Sequence, residues 1–206
     1  ASAGRFGPDP RSLFDEWDAF VAWAPDLRAA PTARPPLGPP VPAPRQVFAI
    51  GMNYRGHAAE VGADLPESPP TFTKFPGCLT GPHARVVLPS GRVDWEVELV
   101  VVVGRRAERV REEAAWDHVA GLTVGQDLSE RAVQLAGQVP QFSLGKSFAG
   151  FGPIGPAVVT VDELADPDSV ELGCAVNGET VQEGRTDDMV FGVPELVARL
   201  SAVCAL

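Results

Sequence analysis

Asp94, Glu96 and Glu98 alternate with apolar residues in Asp94-Trp95-Glu96-Val97-Glu98-Leu99, and the chain then runs into Val100-Val101-Val102-Val103. Successive side chains of a β-strand point to opposite faces. The spacing therefore puts the three carboxylates on one face and Trp95, Val97, Leu99 and Val101 on the other, as a core-facing set. One outcome is a half-buried strand with a solvated acidic face. The apolar run from Leu99 to Val103 points elsewhere, because it reads as a strand buried on both faces. Carboxylates at the mouth of such a strand stand in low-dielectric surroundings, where unpaired like charges raise each other's pKa. A hard divalent cation such as Mg2+, Mn2+ or Ca2+ relieves that repulsion, and Glu-x-Glu on a strand aims two carboxylates at one point.

Other residues could act with them. Asp127 closes Ala120-Gly121-Leu122-Thr123-Val124-Gly125-Gln126-Asp127. It is either the N-cap of a helix over Glu130 to Leu135 or a third carboxylate ligand, and the two roles are compatible. His57 and Glu60 lie three apart, so a helical turn over Gly56 to Glu60 brings them to one face. A carboxylate beside an imidazole fixes its tautomer and raises its basicity, as a general base requires; the alternative is a surface contact on a small helix. Lys146 and Lys74 are flanked by apolar and small residues. Each is by default a surface lysine with a buried stem, and otherwise a fixed positive charge for a carboxylate or developing oxyanion. No phosphate-binding glycine loop and no Gly-x-Ser-x-Gly nucleophile elbow occurs.

The elements that must hold these residues follow from local pattern. Ser12 to Leu27 has apolar residues at helical spacing. Pro31 to Pro42 is too proline-rich for helix or central strand and reads as an extended linker. Residues 1–44 are thus expected to be an appendage, and 45–206 the main body. Within the body, Val47 to Ile50, Val86 to Leu88, Ala120 to Val124, Ala157 to Val161 and Glu171 to Val176 read as strands, with Asn177-Gly178 as a hairpin turn. Glu112 to Val119 and Pro194 to Val203 read as helices, the second with proline in its first turn. Strands do not alternate regularly with helices, so the expected fold is mixed and mainly β, with few short helices.

At 206 residues the chain can bury a substantial core, and 45% hydrophobic against 21% charged residues describes an ordinary globular protein. A formal net charge of −10 argues against nucleic acid and anionic membrane surfaces as partners. Cys78, Cys174 and Cys204 are odd in number and lack Cys-x-x-Cys spacing, which argues against zinc sites and disulfides and for reduced, buried residues in a cytoplasmic protein.

Taken in order, several segments resemble the fumarylacetoacetate hydrolase family, in particular its shorter acylpyruvase-like members. They are Ile50-Gly51-Met52-Asn53-Tyr54, His57 with Glu60, Phe72-Thr73-Lys74-Phe75-Pro76, Asp94 to Leu99, Gly125 to Arg131, and Gln134. Gly145-Lys146-Ser147-Phe148, Gly152 to Pro156, Asn177-Gly178-Glu179 and Asp188-Met189 complete the series. The resemblance implies a β-sandwich roll holding Mg2+ or Mn2+, with Ca2+ as a substitute, on Glu96, Glu98 and Asp127. It implies a small 2-oxo or 2,4-dioxo acid substrate, a catalytic His57–Glu60 pair on a lid, a catalytic Lys146, and substrate contacts from Gln134 and Lys74. The expected reaction is hydrolysis of a C–C bond in an acylpyruvate- or fumarylpyruvate-type acid, and the expected assembly a homodimer. Decarboxylation of an oxaloacetate-type acid and isomerisation of a hydroxyheptadienedioate use the same ligand set, and a non-catalytic metal-binding scaffold is the alternative of another class. Family sequences commonly read Ser-Ala-Arg-Asp-x-Gln where this chain has Ser129-Glu130-Arg131-Ala132-Val133-Gln134. They also continue with a Pro-Gly-Asp segment and a Thr-Gly-Thr-Pro loop not found here, so the domain is expected to be C-terminally incomplete.

Overall fold

The computed structural model describes residues 5–7, 9–26, 37–89 and 91–206. Helices α1 (Arg11–Asp15) and α2 (Trp17–Trp23) stand where one helix over Ser12 to Leu27 was expected. The helix breaks at Glu16, whose φ of −121° and ψ of 35° leave the helical region. The break lets Trp17 turn inward, where it packs with Val102 and Ala120. Leu27 and residues 31–36 of the proline-rich stretch lie outside the described residues; 37–43 form neither helix nor strand, as proline's fixed φ and missing donor dictate.

After the proline-rich stretch, β1 (Phe48–Ile50) pairs antiparallel with β2 (Thr71–Thr73), and α3 (Arg55–Val61) lies between them in sequence. There follow β3 (Leu79–Thr80), β4 (Val93–Asp94), β5 (Val97–Val103), β6 (Val119–Gln126) and β7 (Ser129–Glu130). Two single-turn helices, α4 (Arg131–Gln134) and α5 (Phe142–Gly145), lead to β8 (Gly152–Pro153) and β9 (Val159–Thr160). The hairpin β10 (Glu171–Val176) and β11 (Glu179–Arg185) precedes α6 (Val193–Ser201). The architecture is mixed and mainly β with few short helices, as the pattern predicts. The expected strand over Val86 to Leu88 has no ladder partner and Val87 is exposed. Three apolar residues without a second strand to pair with cannot satisfy their backbone in a sheet. The helix expected over Glu112 to Val119 is a 3-10 helix, Glu112–His118.

The central sheet has the order β5-β6-β9, with β5 and β6 antiparallel along most of their length. The packing partners of β5 alternate with the two-residue period. Leu99 and Val101 pack on a cluster of Ala107, Ala115, Val193 and Val197, which brings in α6, while Val100 and Val102 pack on Trp17 and Ala120. Both faces of β5 are therefore covered, in keeping with its apolar run. Asn177 and Gly178 turn the last hairpin with φ of 53° and 88°, the positive pair that a two-residue type I′ turn requires. The cysteines are free; Cys78 is buried, whereas Cys174 and Cys204 are only half-buried.

Candidate active site

The acidic segment is not one continuous strand. It breaks at Trp95 and Glu96, with β4 pairing β7 on one side and β5 pairing β6 on the other. The Asp94 carboxylate, held by Arg131 at 2.8 Å, accepts the Trp95 N–H at 2.9 Å, a side-chain bond that competes with the ladder. Trp95, expected in the core, is 40% exposed, whereas Val97 is buried. Glu96 is nonetheless fixed, because its carbonyl accepts from the Asp127 N–H at 2.8 Å. Glu98 follows on β5, opposite Gly125.

Asp127 does not cap a helix through its side chain. Glu130 does so instead, accepting from the Val133 N–H at 2.7 Å. The acid at the second position of Ser129-Glu130-Arg131, unusual for the resemblance, is thus the N-cap of α4. The Asp127 side chain is taken by lysines. Lys74 Nζ donates to its Oδ1 at 2.6 Å and Lys146 Nζ to its Oδ2 at 2.8 Å. Lys146 also donates to Glu96 Oε2 and to Ser129 Oγ, each at 2.7 Å, and Lys74 to the Lys146 carbonyl. Neither is the surface lysine of the default reading; both are buried, which charged groups tolerate only when paired in this way.

The helix pair α4 and α5 sets Lys146 and Gln134 side by side. A Cβ at Gly145 would stand 2.5 Å from the backbone nitrogen of Gln134, so only glycine allows this approach. Buried Gln134 accepts from Arg131 through Oε1 at 2.9 Å, and the same guanidinium reaches Glu96 Oε1 at 2.6 Å and Asp94 Oδ2 at 2.8 Å. Arg131 and Ser129 were not singled out from the sequence as site residues. The signal was the alternating acids, whose negative charge calls for a cation, but its source lies in another element.

Glu98 carries the electrostatic strain. Burial, then Glu96 and Asp127, push its carboxyl up to about 8, against a smaller opposing pull from Lys146. Tyr54 is also raised, by burial and by Glu98 and Asp188. The donor chemistry suits a hard divalent cation: Glu96, Glu98 and Asp127 offer only carboxylate oxygens, and Glu98 stands desolvated among like charges. Among the described residues, however, no three acidic, histidine or cysteine side chains converge on one ion position as they stand. The Lys146 ammonium lies between Glu96 and Asp127, so the three residues would hold an ion only with that ammonium displaced.

His57 and Glu60 are brought to one face of α3, with Nδ1 3.6 Å from Oε2 and side chains 53% and 79% exposed. No hydrogen bond or ion pair joins them to the carboxylate–lysine cluster among the described residues. The start of α3 is tied to the segment before α6: Gly56 N–H donates to Asp188 at 2.8 Å, Tyr54 bridges Met189, and Asn53 exchanges two hydrogen bonds with the Phe191 backbone.

Residues 46–206 match the profile of the fumarylacetoacetate (FAA) hydrolase C-terminal domain. The chain belongs to the fumarylacetoacetate hydrolase family. Human oxaloacetate tautomerase FAHD2A, a mitochondrial protein, is 43% identical over 182 residues, which are 87% of this chain and 58% of FAHD2A. The chain thus spans less than two thirds of that curated relative. A Mycobacterium smegmatis structure proposed to be an HpcE protein superposes with a TM-score of 0.95 at 58% identity, covering all of this chain and 75% of the other. Maleylpyruvate hydrolase from Sphingobium sp. SYK-6, solved with manganese(II) and pyruvate, has a TM-score of 0.76 at 30% identity, covering 94% of this chain and 69% of that one. The relatives of this family member are enzymes, both isomerising and hydrolytic, and the last binds a divalent metal. No helix among the described residues is long and apolar enough to cross a membrane.

Proposed function

We propose that this chain catalyses keto–enol proton transfer at the carbon beside the 2-oxo group of a small 2-oxo dicarboxylic acid of the oxaloacetate type. The observation that carries it is the buried Lys146 ammonium, set among Glu96, Asp127 and Ser129. A divalent cation on Glu96, Glu98 and Asp127 would supply Lewis-acid polarisation of the 2-oxo group. Lys146, freed from those carboxylates, donates a hydrogen bond to the oxygen on which negative charge develops, in a setting where such a bond is strong. A water molecule takes the proton from the carbon and returns one to the oxygen. Lys74 keeps Asp127 and the Lys146 backbone in place. Gln134, its carbonyl held by Arg131, has its amide hydrogens for a substrate carboxylate. The human relative described as an oxaloacetate tautomerase supports this substrate class.

C–C hydrolysis of a 2,4-dioxo acid is the second reading, and His57 with Glu60 favours it. Such a pair can take a proton from water attacking the C4 carbonyl while Lys146 stabilises the resulting oxyanion. It ranks second because the pair is exposed and unconnected to the cluster. One assay decides between them: oxaloacetate, acetylpyruvate and fumarylpyruvate with and without Mg2+ or Mn2+. Faster decay of the enol absorbance of oxaloacetate, without release of pyruvate, is expected. Cleavage of the dioxo acids alone would replace this reading with the second. Inactivity on all three with metal bound would leave a metal-binding scaffold.

A further inference from the structure

We infer that Gln182 is a positioning residue for the metal-binding carboxylates, acting through the backbone of Val97. This rests on the reading of Glu96, Glu98 and Asp127 as ligands. Val97 is the residue between the two glutamates. It faces Gln126 across the β5–β6 ladder, yet both its polar backbone groups go the other way. Its N–H donates to Gln182 Oε1 at 2.8 Å and its carbonyl accepts from Gln182 Nε2 at 3.3 Å.

The geometry explains why a side chain is needed there. β5 is an edge strand of its sheet, and in an antiparallel ladder alternate residues turn both backbone groups outward. Glu96 turns inward, to Asp127; Val97 turns outward, where among the described residues no strand pairs with it. A primary amide presents one acceptor and two donors in a plane, so Gln182 stands in for the missing strand at this one residue. The two peptide planes of Val97 carry Glu96 and Glu98; β6 and Asp127 just beyond it hold them from inside, through the Glu96 carbonyl and the pairing of Glu98 with Gly125, and Gln182 holds them from outside.

The hairpin that delivers Gln182 is shaped for the task. Counting from the Asn177-Gly178 turn, Ala175 pairs with Thr180 but Cys174 pairs with Gln182, so Val181 is an extra residue in β11. One inserted residue re-aims every side chain beyond it. Cys174, across from Gln182, accepts from Gln126 Nε2 at 3.3 Å, so the cross-strand pair Cys174 and Gln182 grips the cross-strand pair Gln126 and Val97.

The test compares Mn2+ affinity with stability in the full chain. Gln182→Met keeps length and loses both bonds; Glu183→Gln changes an exposed neighbour in the same hairpin. Wild type and E183Q should bind Mn2+ alike. Q182M should bind about 10- to 100-fold more weakly, the usual scale for losing a residue that orients metal ligands, while the metal-free melting temperatures stay similar. Equal Mn2+ affinity in folded Q182M overturns the inference and leaves the ligand reading intact. A wild type that binds no Mn2+ overturns the ligand reading and this inference with it. Should Q182M not fold, amide exchange in the wild type decides: Val97, outward-facing on an edge strand, should be protected, and rapid exchange there overturns the clamp.

Discussion

Lys74 and Lys146 divide Asp127 between them, one ammonium on each carboxylate oxygen, and Lys74 also holds the main-chain carbonyl of Lys146. Lys74 and Asp127 are both buried, so removing one partner strands the other in a low-dielectric site. Lys74→Met should lower the unfolding free energy by about 3–5 kcal/mol, the scale for breaking a buried pair. The double variant with Asp127→Asn should cost less than the sum of its singles. Urea titration of the metal-free protein measures both, and additive losses would refute the coupling.

Glu96→Ala, Glu98→Ala and Asp127→Ala should each abolish divalent-cation binding measured by calorimetry. In wild type, Mg2+ or Mn2+ should raise the melting temperature, since a ligand that binds only the folded state stabilises it; the three variants should lose that rise. Unchanged affinity in all three would mean that the ligands lie elsewhere.

The metal-free protein should depend on pH through Glu98. Its carboxyl is pushed up to about 8 by burial and by Glu96 and Asp127. The folded state therefore holds a proton that the unfolded state gives up near the usual carboxylate range. That contribution to stability is complete below the unfolded pKa and is lost as pH rises through about 8, at about 1.4 kcal/mol per pKa unit. Glu98→Gln should flatten the fall in melting temperature between pH 5 and pH 8 in chelator. An identical slope in wild type and variant would show that Glu98 is not its source.

His57→Ala should leave Mn2+ affinity unchanged, because among the described residues no hydrogen bond or ion pair joins His57 to the carboxylate cluster. If dioxo acids are cleaved, their kcat should fall by about 10²-fold or more, the scale for losing a general base. Keto–enol conversion of oxaloacetate should fall much less. Equal losses in the two reactions would show that His57 only shapes α3.

Local pattern found most elements: β5 from its apolar run, β6, the Asn177-Gly178 hairpin, and α6 with Pro194 in its first turn. Of the residues the family resemblance names, hydrogen bonds join Glu96, Asp127, Lys146 and Lys74, and Arg131 links Gln134 to Glu96. Among the described residues, His57 and Glu60 are joined only to each other. What local pattern missed is set by distant partners. The break before Val97 depends on Asp94 binding the Trp95 N–H, with Arg131 holding the same carboxylate. The burial of Lys74 depends on a carboxylate 53 residues away. The bond from Gln182 to Val97 spans 85 residues and depends on a bulge that strand propensity does not foretell.

The close approach at Gly145 constrains how this sequence can vary. Any side chain at 145 meets the Gln134 nitrogen, Cα and Cβ at 2.5 to 2.8 Å, two of them backbone atoms that cannot swing aside. Relief comes only by parting the two helical turns, which would move Lys146 and Gln134 away from each other. Substitution at this position is therefore not a matter of stability alone. A lineage that drifts there loses the spacing between its buried cation and its amide before it loses the fold, so position 145 is a point where descent and catalytic competence can separate.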